Sequence, residues 1–125
     1  MIGLNHALTG ALVAVTIKEP ALALPAALLS HFVIDALPHW NYIIPGDKKL
    51  NPVVIGIDMA LSTAGLAAIS LFVDVNPWLF FLGGLLGILP DAMWAPYILF
   101  NRPTKLDTNK PLHVLRRFHL KIQWS

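Results

Sequence analysis

Three side chains that can bind a metal follow one another at four-residue intervals in the stretch SHFVIDALPHW: His31, Asp35 and His39. At positions i and i+4 of a helix, His31 and Asp35 project from one face, which is how one helix supplies two ligands to one ion. Pro38 disfavours helix in the residue before it, so we expect His39 to lie past the helix end and to fold back toward Asp35, which would then bridge two ions. The spacing predicts a metal site, and a hydrogen-bonded His–Asp pair is its alternative.

Three more titratable residues interrupt the other apolar segments of the chain: His6, Asp58 and Asp91. We assume that successive segments run in opposite directions and that each helical residue rises about 1.5 Å. These three residues then lie level with His31 and Asp35, about 10 Å from one end of the bundle. Carboxylates at one depth repel each other unless they are protonated or bridged by a cation, for which neutral histidines are further ligands. We therefore predict that these residues join one metal site, although Asp58 could instead pair with a histidine or cap a kink.

The elements that must position these side chains are four apolar segments, at about 2–17, 21–37, 52–75 and 77–100. The chain is 56% hydrophobic and 13% charged, about half the charged share of an ordinary soluble domain. A soluble fold of 125 residues leaves too much surface exposed to hide so many apolar side chains. Crossing a bilayer takes about 20 residues, so the last two segments are long enough, the second is near the limit and the first is short.

We therefore predict an all-α integral membrane protein with a bundle of about four transmembrane helices, in a single domain over 1–125. The bundle would cover 2–100, and a cytoplasmic amphipathic tail would cover 101–125. Basic residues support one orientation, because only Lys18 lies on one side of the predicted bundle. The other side would hold Lys48, Lys49, Arg102, Lys105, Lys110, Arg116, Arg117 and Lys121. The positive-inside rule then makes that side cytoplasmic, with both termini on it, as in a multi-pass protein of the inner membrane.

Small residues at four-residue spacing predict where these helices approach one another closely. One row lies near the N-terminus, a second in the third segment, and a GxxxG pair in the fourth. The rows are Gly3, Ala7 and Ala11; Gly56, Ala60, Ala64 and Ala68; and Gly83 with Gly87.

The C-terminal stretch 111–124 has the pattern of a basic amphipathic helix that lies on an anionic leaflet. One face would carry Leu112, Leu115, Phe118, His119 and Ile122, with Arg116, Arg117 and Lys121 elsewhere. His119 shares the apolar stripe and would cap the metal site from above as a further ligand. Arg116 and Arg117 would hold an anionic head group.

The composition limits the metal and the partners. The chain has no cysteine, so the ligands are histidine, carboxylate, backbone or water. Such ligands suit zinc, which we expect, and also manganese, iron or magnesium. A net charge of only +2 gives no reason to expect nucleic acid. The lipid bilayer is the expected partner.

Short islands of the sequence resemble the YdjM-like family of inner-membrane proteins assigned as metal-dependent hydrolases. These islands are Asn5-His6 with Gly10, the helix LSHFVIDALPHW and the element GLLGILPDAMW. The resemblance implies a metal-ligand role for His6, which matches the early histidine of the family, and for Asp91 in its Pro-Asp element. The His-Arg…Thr-His-Ser element of many members is missing here.

The HxxxD pattern followed by Pro-His also looks like the ligand helix of zinc-dependent phospholipase C and related nucleases. This resemblance implies that His31 and Asp35 bind zinc, with Asp35 bridging, and that His39 is another ligand. The second ligand helix of the phospholipase, HxxxE, is at most HxxxQ here, at His119 and Gln123.

These observations predict a membrane-bound, metal-dependent hydrolase that acts on a phosphoester, such as a phospholipid, at the cytoplasmic face. Asp91 or Asp58 would act as general base if it is not a ligand. One alternative is a small metal-ion or proton transporter or channel subunit, and another is a structural membrane protein whose polar layer only joins helices. A transporter needs a polar route to the far face. The only candidates to line it there are Thr9, Thr16, Ser62, Thr63 and Ser70, which favours the hydrolase.

Overall fold

The computed structural model describes residues 2–39, 50–93 and 111–123. Within these ranges the chain forms five α-helices and no strand, so the all-α prediction is confirmed. The helices are α1 (Gly3–Ile17), α2 (Pro20–Asp35), α3 (Leu50–Ser70), α4 (Pro77–Ala92) and α5 (Pro111–Gln123).

Local sequence signals account for the helix boundaries near the turns. α2 and α4 begin with Pro20 and Pro77, whose missing N–H costs nothing in the first turn of a helix. Asn76 caps α4, because its side-chain oxygen accepts hydrogen bonds from the N–H groups of Trp78 (3.1 Å) and Leu79 (3.2 Å). α1 ends at Ile17, and the next residue, Lys18, has a φ of 67° that turns the chain sharply toward α2.

α1 and α4 lie in backbone contact, and glycines permit this. A Cβ atom on Gly10 would overlap the carbonyl oxygen of Gly83 and lie 2.9 Å from the Cα of Gly87. A Cβ atom on Gly87 would overlap the carbonyl oxygen of His6. The two helices are antiparallel, since Gly87 faces His6 while Gly83 faces Ala14. This close approach brings the start of α1 against the end of α4, where the titratable residues lie.

α3 packs on α1 and α4, but it does so through a different face from the one that the sequence predicted. The row of small residues in α3 is exposed, so that prediction is wrong for Gly56, Ala60, Ala64 and Ala68. Instead, Ser62 and Leu66 are buried, and the methyl groups of Leu66 fill the space where Gly84 of α4 lacks a side chain.

The exterior of the bundle is unusually apolar, and its interior combines two apolar clusters with several buried polar side chains. Large apolar side chains point outward along the apolar helices, with Leu22, Val33 and Leu61 each at least 65% exposed. Inside, the largest fully buried side chains are mostly polar: Arg116, Leu66, His6, His31, His119, Asp35 and Ser62. Exposed apolar area on this scale marks a surface that contacts lipid or another protein.

One described helix, α3, is long and apolar enough to cross a membrane, over Val53–Ser70 at a mean hydropathy of 1.8. The other three apolar helices have 15 or 16 residues, or about 22–24 Å of length, against about 30 Å of bilayer hydrocarbon. The fold is thus an all-helical bundle with one candidate span among the described residues, and four spans stay a prediction. Several basic residues used for the orientation lie outside the described ranges: Lys48, Lys49, Arg102, Lys105 and Lys110.

Candidate metal centre

Titratable side chains from four helices meet at one end of the bundle. His6 lies at the start of α1, His31 and Asp35 in the last two turns of α2, and Asp91 one residue before the end of α4. These ends coincide because α1 is antiparallel to α4 and returns into α2 through a tight turn. His119 of α5 reaches the same place from the C-terminal part of the chain.

Three ligand atoms converge at the centre of this group. The Nε2 atom of His119 lies 2.7 Å from Oδ2 of Asp35, and the Nε2 atom of His31 lies 3.1 Å from the same oxygen. The two Nε2 atoms are 3.0 Å apart. All three side chains are fully buried. Three groups that are rich in lone pairs therefore point at one spot in the protein interior.

Asp91 completes the group from the more open side. Its Oδ1 atom lies 3.7 Å from Nε2 of His31 and 3.8 Å from Nε2 of His119, and its side chain is 24% exposed. Ligand atoms of the four residues all lie within 4.8 Å of one another, close enough for the group to hold one metal ion. Asp91 is thus the member of the group that is accessible to solvent.

The backbone of α4 determines which nitrogen of His31 faces the group. The Nδ1 atom of His31 lies 2.8 Å from the carbonyl oxygen of Gly87, which can only accept a hydrogen bond. The proton of the neutral ring is therefore on Nδ1, and Nε2 presents a lone pair to the cluster. Metal-binding histidines characteristically donate their other ring N–H to such an acceptor.

The donor set fits a divalent cation. When both histidines are neutral, Nε2 of His31, Nε2 of His119 and Oδ2 of Asp35 share a single N–H, that of His119. The lone pair on Nε2 of His31 then faces the other two atoms, and the lone pairs repel one another. A further proton or a cation removes this repulsion. A tetrahedral zinc site with bonds of about 2.0–2.1 Å separates its ligand atoms by about 3.3–3.4 Å. The separations of 3.0 and 3.1 Å are close to that value, whereas the 2.7 Å between His119 and Asp35 is a hydrogen-bond distance that would have to lengthen around an ion. The 3.7 and 3.8 Å from Asp91 to the two histidines are longer than that value.

His6 lies directly behind this group. Its ring stacks on the ring of His31 with 4.0 Å between centroids and 25° between planes. Its Nε2 atom lies 3.3 Å from Oδ1 of Asp35, the oxygen that does not face His119. Its Nδ1 atom is buried without a hydrogen-bond partner among the described residues. His6 therefore supports Asp35 from behind, next to the four residues that could share one ion.

Besides His6, two residues of the predicted site lie outside the group of four, namely Asp58 and His39. Asp58 of α3 lies next to the start of α1, where its Oδ2 accepts a hydrogen bond from the N–H of Gly3 (2.7 Å). The hydroxyl of Ser62 lies 3.4 Å from the other oxygen of Asp58. This carboxylate thus satisfies a first-turn N–H of α1, which has no partner within the helix.

His39 also lies apart from the group. Its Nδ1–H donates to the carbonyl oxygen of Leu37 at 2.7 Å, so the ring turns back on the end of its own helix. His39 and Asp58 thus lie outside the group of four, with hydrogen bonds to Leu37 and, from α3 to α1, to Gly3.

The orientation of α5 corrects another expectation. His119 does face the cluster, as expected, but Arg116 lies beside it on the buried face rather than elsewhere. The apolar residues Leu115 and Phe118 are 43% and 53% exposed, and Arg117 is exposed as well. The polar face turns inward because the interior that it meets is itself polar. The i, i+3 spacing of Arg116 and His119 was the sequence signal for this shared face.

The carbonyl group of Gly87 is the functional feature that sequence reasoning missed. The GxxxG pattern indicated only packing, and no side chain marks a backbone oxygen as the acceptor for a histidine. Comparison with known proteins adds no relative: no family model, no curated protein and no solved structure matches this chain.

Proposed function

We propose that this protein is a membrane-embedded, metal-dependent hydrolase that acts on a phosphoester at the end of the bundle where α2 and α4 terminate. The observation that carries the proposal is the convergence of His31 Nε2, His119 Nε2 and Asp35 Oδ2 within 3.1 Å of one another in the buried interior. Charged groups in such an interior are costly unless they are paired or functional.

In this proposal, His31, His119 and Asp35 hold a divalent ion, with zinc as the first candidate. Catalytic zinc sites typically have three protein ligands and leave the fourth position to water or substrate. A bound ion supplies two kinds of chemistry here: it polarises a phosphoryl oxygen and acidifies a water molecule. The carbonyl of Gly87 keeps the ring of His31 in the orientation that ligation needs.

Asp91 is the candidate general base. Its oxygen lies farther from the two histidine nitrogens than Asp35 does, and its side chain alone among the four is partly exposed. It can accept a proton from a water that approaches on its side of the cluster and release it to solvent. A positioned carboxylate of this kind contributes about 100- to 10,000-fold to a rate.

Arg116 is the candidate residue for charge complementarity to the phosphoester. It is fully buried, and it lies one turn before His119 on the same face of α5. Because this guanidinium is buried, it would act on a nearby phosphate through its positive charge rather than through direct hydrogen bonds. Arg117, which was expected to share this role, is exposed and turned away from that face.

A membrane location is the second part of the proposal. Its support is the apolar exterior around an interior that buries polar side chains, together with the long apolar helix α3. In this arrangement four segments cross the inner membrane, and the end with the metal centre faces the cytoplasm, where the positive-inside rule places the basic loops and both termini. Reporter domains fused to each terminus should be active only as cytoplasmic reporters, and a periplasmic signal from either fusion would overturn this orientation.

The hydroxyl groups away from the cluster argue against a transporter. Those of Thr16, Thr63 and Ser70 donate hydrogen bonds to carbonyl oxygens of their own helices. Because these hydroxyl protons are already donated to backbone carbonyls, the hydroxyl groups do not form a polar route toward the far end of the bundle. A purely structural role for the polar layer differs in predicting no bound metal.

Metal analysis of the purified protein tests the proposal. The full chain in detergent, purified without chelator and resupplied with zinc, should carry one zinc per chain. The His31→Ala and Asp35→Ala variants should lose it, whereas His39→Ala, which removes a histidine outside the group, should keep it. Absence of stoichiometric metal from the folded wild-type protein would refute the metal centre.

A further inference from the structure

α5 presents two chemically different faces. The buried face carries Arg116 and His119, which are both fully inaccessible. The outward face carries Val114, Leu115 and Phe118, which are 51%, 43% and 53% exposed. A helix that places polar residues inward and apolar residues outward is suited to a bundle whose surroundings are apolar.

The charge of the outward side indicates which surroundings these are. Arg117 and Lys121 are exposed next to the apolar residues, and α5 contains no acidic residue. Exposed apolar side chains flanked by cations are characteristic of a helix bound at the surface of an anionic bilayer. Phe118 also contacts Phe32 of α2 with 5.8 Å between ring centroids, which links this face to the apolar exterior of the bundle.

The inward side supplies one ligand of the metal centre. His119 lies 84 and 88 residues along the chain from Asp35 and His31, so its place depends on α5 lying against α2. If α5 moved away, the proposed ion would keep His31 and Asp35 but lose a buried nitrogen ligand. The docking of α5 and the completion of the metal centre are therefore the same event.

We propose that anionic lipid at the membrane surface binds the outward face of α5 and thereby completes the metal centre with His119. The inference rests on the proposed function, since it requires that metal centre and a membrane next to it. The lipid keeps α5 in the interfacial plane, which raises the effective concentration of His119 near the other ligands. By thermodynamic linkage, metal binding strengthens the attachment of α5 to lipid by the same factor.

Zinc affinity in defined bilayers tests this coupling. The full chain is reconstituted in nanodiscs of phosphatidylcholine alone or with phosphatidylglycerol, and zinc binding is measured by competition with a chelating dye. One basic residue near an anionic surface strengthens attachment to the membrane by about fivefold. Arg117 and Lys121 together can therefore raise zinc affinity by up to about thirtyfold through the coupling. We expect wild-type zinc affinity to rise toward this limit in the anionic discs.

Charge-removing variants identify the surface responsible. Arg117→Gln should lose about fivefold of the increase in anionic discs and bind zinc normally in neutral discs. Lys18→Gln removes one exposed cation at the opposite end of the bundle and should leave the increase intact. Equal zinc affinity of the wild type in both discs, with one zinc bound, would overturn the coupling and leave the metal centre standing. No zinc binding in either disc would instead overturn the proposed function.

Thiol labelling gives an independent measurement, because the protein has no cysteine. In a Leu115→Cys variant, a water-soluble maleimide should react more slowly when zinc is added in anionic discs. The same label at Ile17→Cys, at the other end of the bundle, should react at a rate that zinc does not change. A zinc-independent rate at residue 115 in a variant that binds zinc would contradict the linkage.

Discussion

Oδ2 of Asp35 and Nε2 of His119 lie 2.7 Å apart although 84 residues separate them in the chain. This contact joins the bundle to α5, and it places a second histidine opposite the His31–Asp35 pair of α2. The HxxxD pattern on one helix usually gives only a hydrogen-bonded His–Asp pair. The nitrogen of His119 turns this pair into a group of three candidate metal ligands. This arrangement predicts measurable effects of substitutions on zinc affinity, on the stability of the fold and on the rate of hydrolysis.

Removal of His119 should cost more metal affinity than removal of any supporting residue. His119→Ala deletes a buried ligand atom, so zinc affinity should fall by more than the about 10- to 100-fold typical of changes around the ligands. Competition with a chelating dye measures this. His113→Ala on the same helix is the matched control and should stay near wild type. Similar zinc affinities for the two variants would exclude His119 from the centre.

Substitution of Asp91 should lower the rate of hydrolysis more than it lowers zinc binding. Asp91→Asn keeps the shape of the side chain but removes the proton acceptor, so hydrolysis of a chromogenic phosphodiester should fall by about 100- to 10,000-fold. Zinc stoichiometry, measured on the same sample, should remain at one per chain. Loss of the metal together with the rate would instead make Asp91 a ligand.

Asp58 should contribute to stability and not to metal binding. Asp58→Asn turns the charged acceptor of the Gly3 N–H at the start of α1 into a neutral one, a change that should cost about 1 kcal/mol of stability. The thermal unfolding midpoint in detergent should therefore decrease, while zinc affinity in the folded protein stays within about threefold, an effect smaller than that of changes around ligands. A loss of zinc from folded Asp58→Asn would return this residue to the metal centre.

Gly87 should be intolerant of a methyl group. A Cβ there would overlap the carbonyl oxygen of His6 and lie 3.2 Å from the Cα of Gly10, so Gly87→Ala must push α1 away from α4. We expect a loss of at least about 1–3 kcal/mol and weaker zinc binding, because the same residue holds the ring of His31.

Gly56→Ala is the control for that substitution, since a Cβ on Gly56 meets open space. Alanine there should stabilise α3 by about 0.5–1 kcal/mol through its better helix propensity. Equal unfolding midpoints for the Gly87 and Gly56 variants would show that α1 and α4 do not pack as closely as described.

The sequence by itself determined the helices and one pair of candidate ligands. Pro20, Pro77 and the Asn76 cap set helix starts through backbone chemistry that acts within a few residues. The four-residue interval between His31 and Asp35 placed both on one face, because helical periodicity is a local property. The agreement in depth among residues of different segments was also accessible, since it follows from counting residues along antiparallel helices.

Only the tertiary structure decided which residues of that layer meet. Asp58 and Asp91 were both expected at the level of the site, but depth does not specify rotation about a helix axis or the choice of neighbour. Packing turned Asp58 toward the first turn of α1 and Asp91 toward the two histidines. Likewise, the sequence placed His119 on the apolar stripe of α5, with Arg116 on another face. In the structure α5 presents Arg116 and His119 together, because the part of the interior it covers is polar and the exterior is apolar.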